Sequence, residues 1–111
     1  MGRPAARVGD MQSGHGCFPP TNAIMGSPNV RINGKMAMLV GGQYQVHCCP
    51  KKGCHPVIQS SGSGTVKING RPASRLGDKV GCGGATITGS SNVKIGGWYG
   101  REFIYRFRFN I

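Results

Sequence analysis

Three stretches decide how this chain folds: residues 26–34 (GSPNVRING), residues 62–70 (GSGTVKING) and residues 89–97 (GSSNVKIGG). They begin 36 and 27 residues apart, so one unit repeats while its connecting loops change length. In Val30-Arg31-Ile32, Val66-Lys67-Ile68 and Val93-Lys94-Ile95 a cation stands between two apolar residues. Side chains alternate across a strand, so this pattern predicts a half-buried strand with its cation turned outward. Asn33-Gly34 and Asn69-Gly70 follow directly. A type I′ hairpin turn needs positive φ at both central residues, and Asn-Gly meets that need best. Returning strands are expected at residues 36–40 and 72–76.

Working outward, RPAARVGD (residues 3–10) matches RPASRLGD (residues 71–78), and KMAMLVGG (residues 35–42) is a degraded middle copy. The chain therefore starts inside one unit and ends inside another. No stretch combines helical periodicity with caps, so the class is all-β. One hairpin cannot bury its own apolar face, but three around an axis can bury theirs against each other. The expected architecture is a set of short hairpins with internal pseudo-threefold symmetry; a sandwich of duplicated hairpins is the alternative.

Composition agrees with a thin core. Of 111 residues, 38% are hydrophobic and 20 are Gly. Each Gly adds backbone entropy that folding must overcome, and small chains of this kind need a metal or a disulfide. The chain has five Cys and no apolar h-region at its start, so the cysteines are expected in a reducing cytoplasm, where metal binding outweighs disulfide formation. No apolar run reaches transmembrane length. Lys and Arg number 14 against 3 acidic residues, a formal +11. Such charge suits nucleic acid, an anionic membrane or an acidic partner, or simply solubility.

The three histidines, His15, His47 and His55, fall in the loops between hairpins. His55 stands seven residues before Gly62 and Cys82 seven before Gly89, matching places in successive units. Loops from three units meeting at one end would bring His15, His47, His55 and Cys82 together. Three imidazoles and one thiolate form a closed tetrahedral set that suits one structural zinc. The segment HCCPKKGCHP offers another answer, with Cys48, Cys49 and Cys54 beside His47 and His55 as a compact knuckle, or with Cys54 in a disulfide to Cys48 or Cys49. Cys17 is expected as a small buried hydrophobe.

GRPAARVGD at residues 2–10, with GSPNVRINGK, HPVIQSSGSGTVKINGRPASRLGD and CGGATITGSSNVKIGG, resembles the PAAR-repeat family over residues 3–97. The resemblance implies a cone of short strands whose base docks on the trimeric β-helical spike of a type VI secretion system, with related caps on contractile phage tails. It also implies a zinc near the point, held here by His15, His47, His55 and Cys82. One copy per trimer, a monomer when alone, and transient contact with a target membrane are the expected associations. Residence in the cytoplasm before assembly, then at the spike tip outside the cell, is the expected location. The middle unit departs from the PAAR-GD form.

Residues 1–97 are thus expected as the cone and residues 98–111 as a C-terminal strand with Phe103, Tyr105, Phe107 and Phe109 on one face. With fourteen residues after the repeats, no toxin domain is expected within this sequence. Three functions compete. The first is a mechanical tip with a structural zinc. The second is a zinc-binding basic protein on nucleic acid, opposed by cations spread over all three repeats. The third, a hydrolase, lacks paired carboxylates or an open metal position, so no enzyme activity is expected.

Overall fold

The computed structural model describes residues 2–96, apart from the side chain of Cys82. The strand expected at residues 98–111 lies outside the described residues. The chain is all-β. Its strands are β1 (Gly2–Pro4), β2 (Met11–Gln12), β3 (Thr21–Met25), β4 (Arg31–Ile32), β5 (Lys35–Met36), β6 (Gln43–Cys49), β7 (Gly53–Ile58), β8 (Lys67–Ile68), β9 (Arg71–Pro72) and β10 (Lys94–Gly96). Among the described residues one 3-10 turn, Gly81–Gly83, accompanies them.

The repeats form three two-stranded units: β4 with β5, β8 with β9, and β10 with β1. The last pairing, with Gly2 opposite Gly96 and Pro4 opposite Lys94, joins the beginning of the chain to the final repeat. Asn33 and Asn69 have φ of 55° and 53°, and Gly34 and Gly70 both have 79°, the left-handed pair that a type I′ turn demands. Arg31, Lys67 and Lys94 are exposed, and Ile32, Ile68 and Ile95 opposite them in the alternation are buried.

The returning strands are shorter than expected. Strands β5 and β9 stop after two residues because the backbone then leaves its own hairpin for the neighbouring unit. Ala5 bridges to Arg75, Ala37 to Arg7 and Ala73 to Leu39. One residue on, Met38 N–H donates to Ala6 O (2.9 Å), Ala6 N–H to Ser74 O (3.0 Å) and Ser74 N–H to Met38 O (3.0 Å). These bonds close a ring through the three units. The same comparison holds at Ser27, Ser63 and Ser90, whose hydroxyls each accept the N–H of Val30, Val66 and Val93 at 2.9 Å. Inside the ring, Ala5, Ala37 and Ala73 pack with Ile32, Ile68, Ile95, Val66, Val93 and Leu39.

Two units close with an ion pair. Arg7 and Asp10, and Arg75 and Asp78, form forked guanidinium–carboxylate pairs whose carboxylate also accepts the arginine's own N–H. Leu39 and Gly42 occupy these places in the middle unit. The turn survives there, with Gly42 N–H on Leu39 O (2.9 Å), and Leu39 enters the apolar core in place of a paired cation.

A four-stranded sheet, in the order β2-β3-β6-β7, carries the chain away from the ring. A second core of Ala6, Ala23, Met38, Tyr44, Val57 and Val80 fills its beginning. Beyond it the interior turns polar: the Tyr44 hydroxyl, whose pKa burial pushes up to about 12, donates to Gln59 Oε1 (2.7 Å), beside Thr86 (3.0 Å). Past that network lies the histidine end.

Candidate metal centre

His47 and His55 are strand residues and not, as expected, loop residues. In the β6–β7 hairpin they stand directly opposite each other, followed by Cys48 opposite Cys54. Alternation puts the two imidazoles on one face and the Cys48–Cys54 pair on the other. His15 arrives on a tight turn closed by His15 N–H to Phe18 O (3.0 Å) and Phe18 N–H to His15 O (2.8 Å). Gly14 enters this turn at a φ of 75°, where a Cβ would run into the Phe18 carbonyl. The Phe18 ring then lies against all three imidazoles, with centroids 4.9, 4.8 and 4.5 Å from His15, His47 and His55.

The hydrogen bonds fix how the imidazoles present themselves. His47 Nδ1 is 2.9 Å from Pro19 O, and His55 Nδ1 is 3.0 Å from Pro56 O. A carbonyl only accepts, so both Nδ1 atoms carry their protons and both Nε2 atoms present lone pairs. Those two Nε2 atoms are 3.2 Å apart. His15 Nε2 is buried and has no hydrogen-bond partner. All three ligand atoms lie within 4.8 Å of one another. Two nitrogens on one tetrahedral zinc stand about 3.3 Å apart, from bonds of roughly 2.0–2.1 Å. The three histidines could therefore hold a metal ion, and the carbonyls on Nδ1 are the outer partners such ligands need. Desolvation, then the charges of His47, His55 and Lys52, push the His15 pKa below its ordinary 6.5, which favours the neutral ring that a metal ligand must be.

The cysteines correct the expectation from sequence. Cys17 is bridged to Cys49 and Cys48 to Cys54, with Cα–Cα distances of 5.5 and 4.0 Å. Cys17 is exposed and bonded, not a buried hydrophobe, so its bridge to Cys49 was unexpected, whereas Cys48–Cys54 is one of the disulfides that the sequence left open. The knuckle built on Cys48, Cys49 and Cys54 loses all its thiolates. Cys82 stands outside both bridges, on the 3-10 turn Gly81–Gly83; its side chain is outside the described residues. The backbone brings that turn close: a Cβ on Gly84 would come 2.9 Å from Gln12 Oε1 and 3.1 Å from Gly14 O, in the segment that leads to His15.

Two supporting residues had no signal in the sequence. Phe18 reaches the imidazoles only because the turn folds it back. Gln12, fully buried, accepts from Gly14 N–H (2.6 Å) and donates to Thr21 Oγ1 (3.0 Å), which steadies the approach to His15.

With this geometry in hand, comparison with known proteins gives a family. Residues 42–88 match the PAAR motif. The chain carries a PAAR motif over this stretch. The matched stretch contains His47, His55 and Cys82. The chain is also similar to two proteins of Pseudomonas aeruginosa, the NAD(P)(+) glycohydrolase toxin Tse6 and the (p)ppApp synthetase toxin Tas1. Each is 41% identical over 85 residues, covering 70% of this chain and 20% and 19% of the respective toxin. The PAAR-motif chain thus spans about one fifth of the length of these relatives. Its two described carboxylates, Asp10 and Asp78, are both bound to arginines within the fold.

Proposed function

We propose that this PAAR-motif chain is the tip of a type VI secretion or related contractile injection spike. In this reading the three hairpin units form a cone with pseudo-threefold symmetry over residues 1–97, and the ring end is its base. One copy seats on one trimeric β-helical spike, and the histidine end points away from it. The observation that carries the proposal is the closed cycle of hydrogen bonds among Ala6, Met38 and Ser74, one from each unit. A single chain with three similar faces can match a threefold surface. A β-helix also leaves strand edges at its blunt end that need covering.

The metal is read as one zinc held by His15, His47, His55 and Cys82. Four protein ligands leave no position for an activated water, so its role is structural and the tip itself catalyses nothing. The similarity to toxins fits a tip that carries toxic cargo to a target cell, the chain being made in the cytoplasm and delivered outside it. Arg31, Lys67 and Lys94, exposed on three different hairpins, would meet anionic lipid headgroups during passage. The same dispersal disfavours nucleic acid, whose readers gather their cations on one face.

Co-purification with a candidate trimeric spike tests the reading. The expected result is one chain per three spike subunits, with the chain monomeric on its own by light scattering. A stable homotrimer of the chain, or no capture by any spike of the same system, contradicts it.

A further inference from the structure

We propose that the Cys17–Cys49 disulfide is a redox latch on the metal centre: closed, it holds His15 in the ligand set, and opened, it lets the metal exchange rapidly. The inference rests on the metal reading above. Its ground is the position of the bridge. Cys17 lies two residues after His15 and Cys49 two residues after His47. The bond therefore joins the arms that bring different ligands to one place. The backbone hydrogen bonds of the His15 turn run between His15 and Phe18 themselves, and β6 reaches its far side through His47 Nδ1 on Pro19 O (2.9 Å); the bridge at Cys17 is the covalent tie beside His15.

The neighbouring bridge makes the contrast. Cys48–Cys54 joins β6 to β7, strands already in register at Cys49 with Gly53, His47 with His55 and Tyr44 with Val57. Removing that bond leaves His47 and His55 held by the sheet. Removing Cys17–Cys49 leaves the His15 turn without its covalent link to the sheet. Two disulfides a few residues apart thus have different consequences for the same cluster.

The chemistry is thiol–disulfide exchange. A thiolate of an external dithiol attacks the sulfur of Cys17, the exposed half of the bridge, releasing the buried Cys49 thiolate, and the reagent's second thiol resolves the mixed disulfide. Two electrons and two protons pass to Cys17 and Cys49, and the reagent leaves as its own disulfide. The reverse step needs a disulfide oxidant, which accepts the same two electrons. A chain moved from a reducing to an oxidising compartment would close its latch on arrival.

The test measures how fast a chromogenic chelator strips zinc from the whole chain, before and after reduction. A water-soluble phosphine is the reductant; it takes up the oxygen of one water as the two thiols form. Reduction should speed release at least tenfold. The Cys17→Ser/Cys49→Ser variant should release zinc at that fast rate without reductant, and Cys48→Ser/Cys54→Ser should stay within about threefold of the native, oxidised rate. Equal or slower release from both the reduced protein and the Cys17→Ser/Cys49→Ser variant overturns the latch while leaving the metal site standing. Oxidised protein that takes up no zinc at all removes the metal reading and the latch with it.

Discussion

The two ends of this molecule are held together by different means. At the ring end, small and branched apolar residues from three hairpins bury one another, and a repeated set of backbone and serine hydrogen bonds ties each unit to the next. At the histidine end, among the described residues, Phe18 and three imidazoles pack together beside the Cys17–Cys49 bridge, with Cys48–Cys54 on the outer face of the hairpin. The lesson is geometric. Where the three units meet, apolar residues bury one another; at the histidine end disulfides join the segments, and three imidazoles stand close enough to share a metal ion.

The sharpest break at the ring end is Arg75→Ala. It strips the buried Asp78 carboxylate of its forked partner and should cost about 3–5 kcal/mol in a denaturant titration. Replacing Arg75 and Asp78 together with Leu and Gly should cost clearly less, because Leu39 and Gly42 already close the middle unit that way. If the double replacement is as harmful as the single one, the middle unit is not a valid guide to the others. Ile68→Ala, which hollows the ring without touching the histidines, should cost about 2–5 kcal/mol and leave metal content unchanged.

At the other end the disulfides set the scale. By chain entropy, a bridge spanning 32 residues is worth about 4 kcal/mol and one spanning 6 about 2 kcal/mol. Metal-free protein should therefore lose more stability from Cys17→Ser/Cys49→Ser than from Cys48→Ser/Cys54→Ser, read as urea midpoints. Equal losses would mean that the long loop is already constrained without its bridge.

Acid should separate the ends as well. His15 is held below its ordinary value of 6.5, so the unfolded chain binds that proton first, and stability is lost as pH falls from 6.5 through the lower native value. Asp10 is shifted the same way, for another reason and at lower pH. Burial raises its pKa, but hydrogen bonds from Arg7 and Thr88 and the Arg7 charge outweigh it, holding the carboxyl below 3.8. Its contribution is present above 3.8 and is lost only as pH falls through the lower native value. Metal-free protein should thus weaken in two stages, and Asp10→Asn should remove the second stage alone. The smallest effect is expected at Asn69→Ala, about 1 kcal/mol, because Ala resists the φ of 53° that Asn tolerates.

The ring was the legible part of the sequence. Asn33-Gly34 and Asn69-Gly70 announce their turns because few residue pairs accept that backbone, and the alternation in Val-Lys-Ile is local. The histidine end depends on pairings that local patterns do not carry. His47 and His55 read as loop residues because they fall between the repeated hairpins, whereas the register of β6 on β7 makes them cross-strand neighbours. Cys17 and Cys49 meet only after the turn at Gly14 has folded back, and nothing within a few residues of either one signals it. The structure does bring the three histidines together, with their ligand atoms within 4.8 Å of one another.

Zinc-edge X-ray absorption fine structure on the oxidised protein tests most directly whether a metal replaces the missing core at that end. The predicted shell is three nitrogens at about 2.0–2.1 Å and one sulfur at about 2.3 Å, from His15, His47, His55 and Cys82. Loss of the sulfur in Cys82→Ser, with the nitrogens kept, would complete the assignment. A shell with two or more sulfurs, with none, or no bound zinc at all would contradict it.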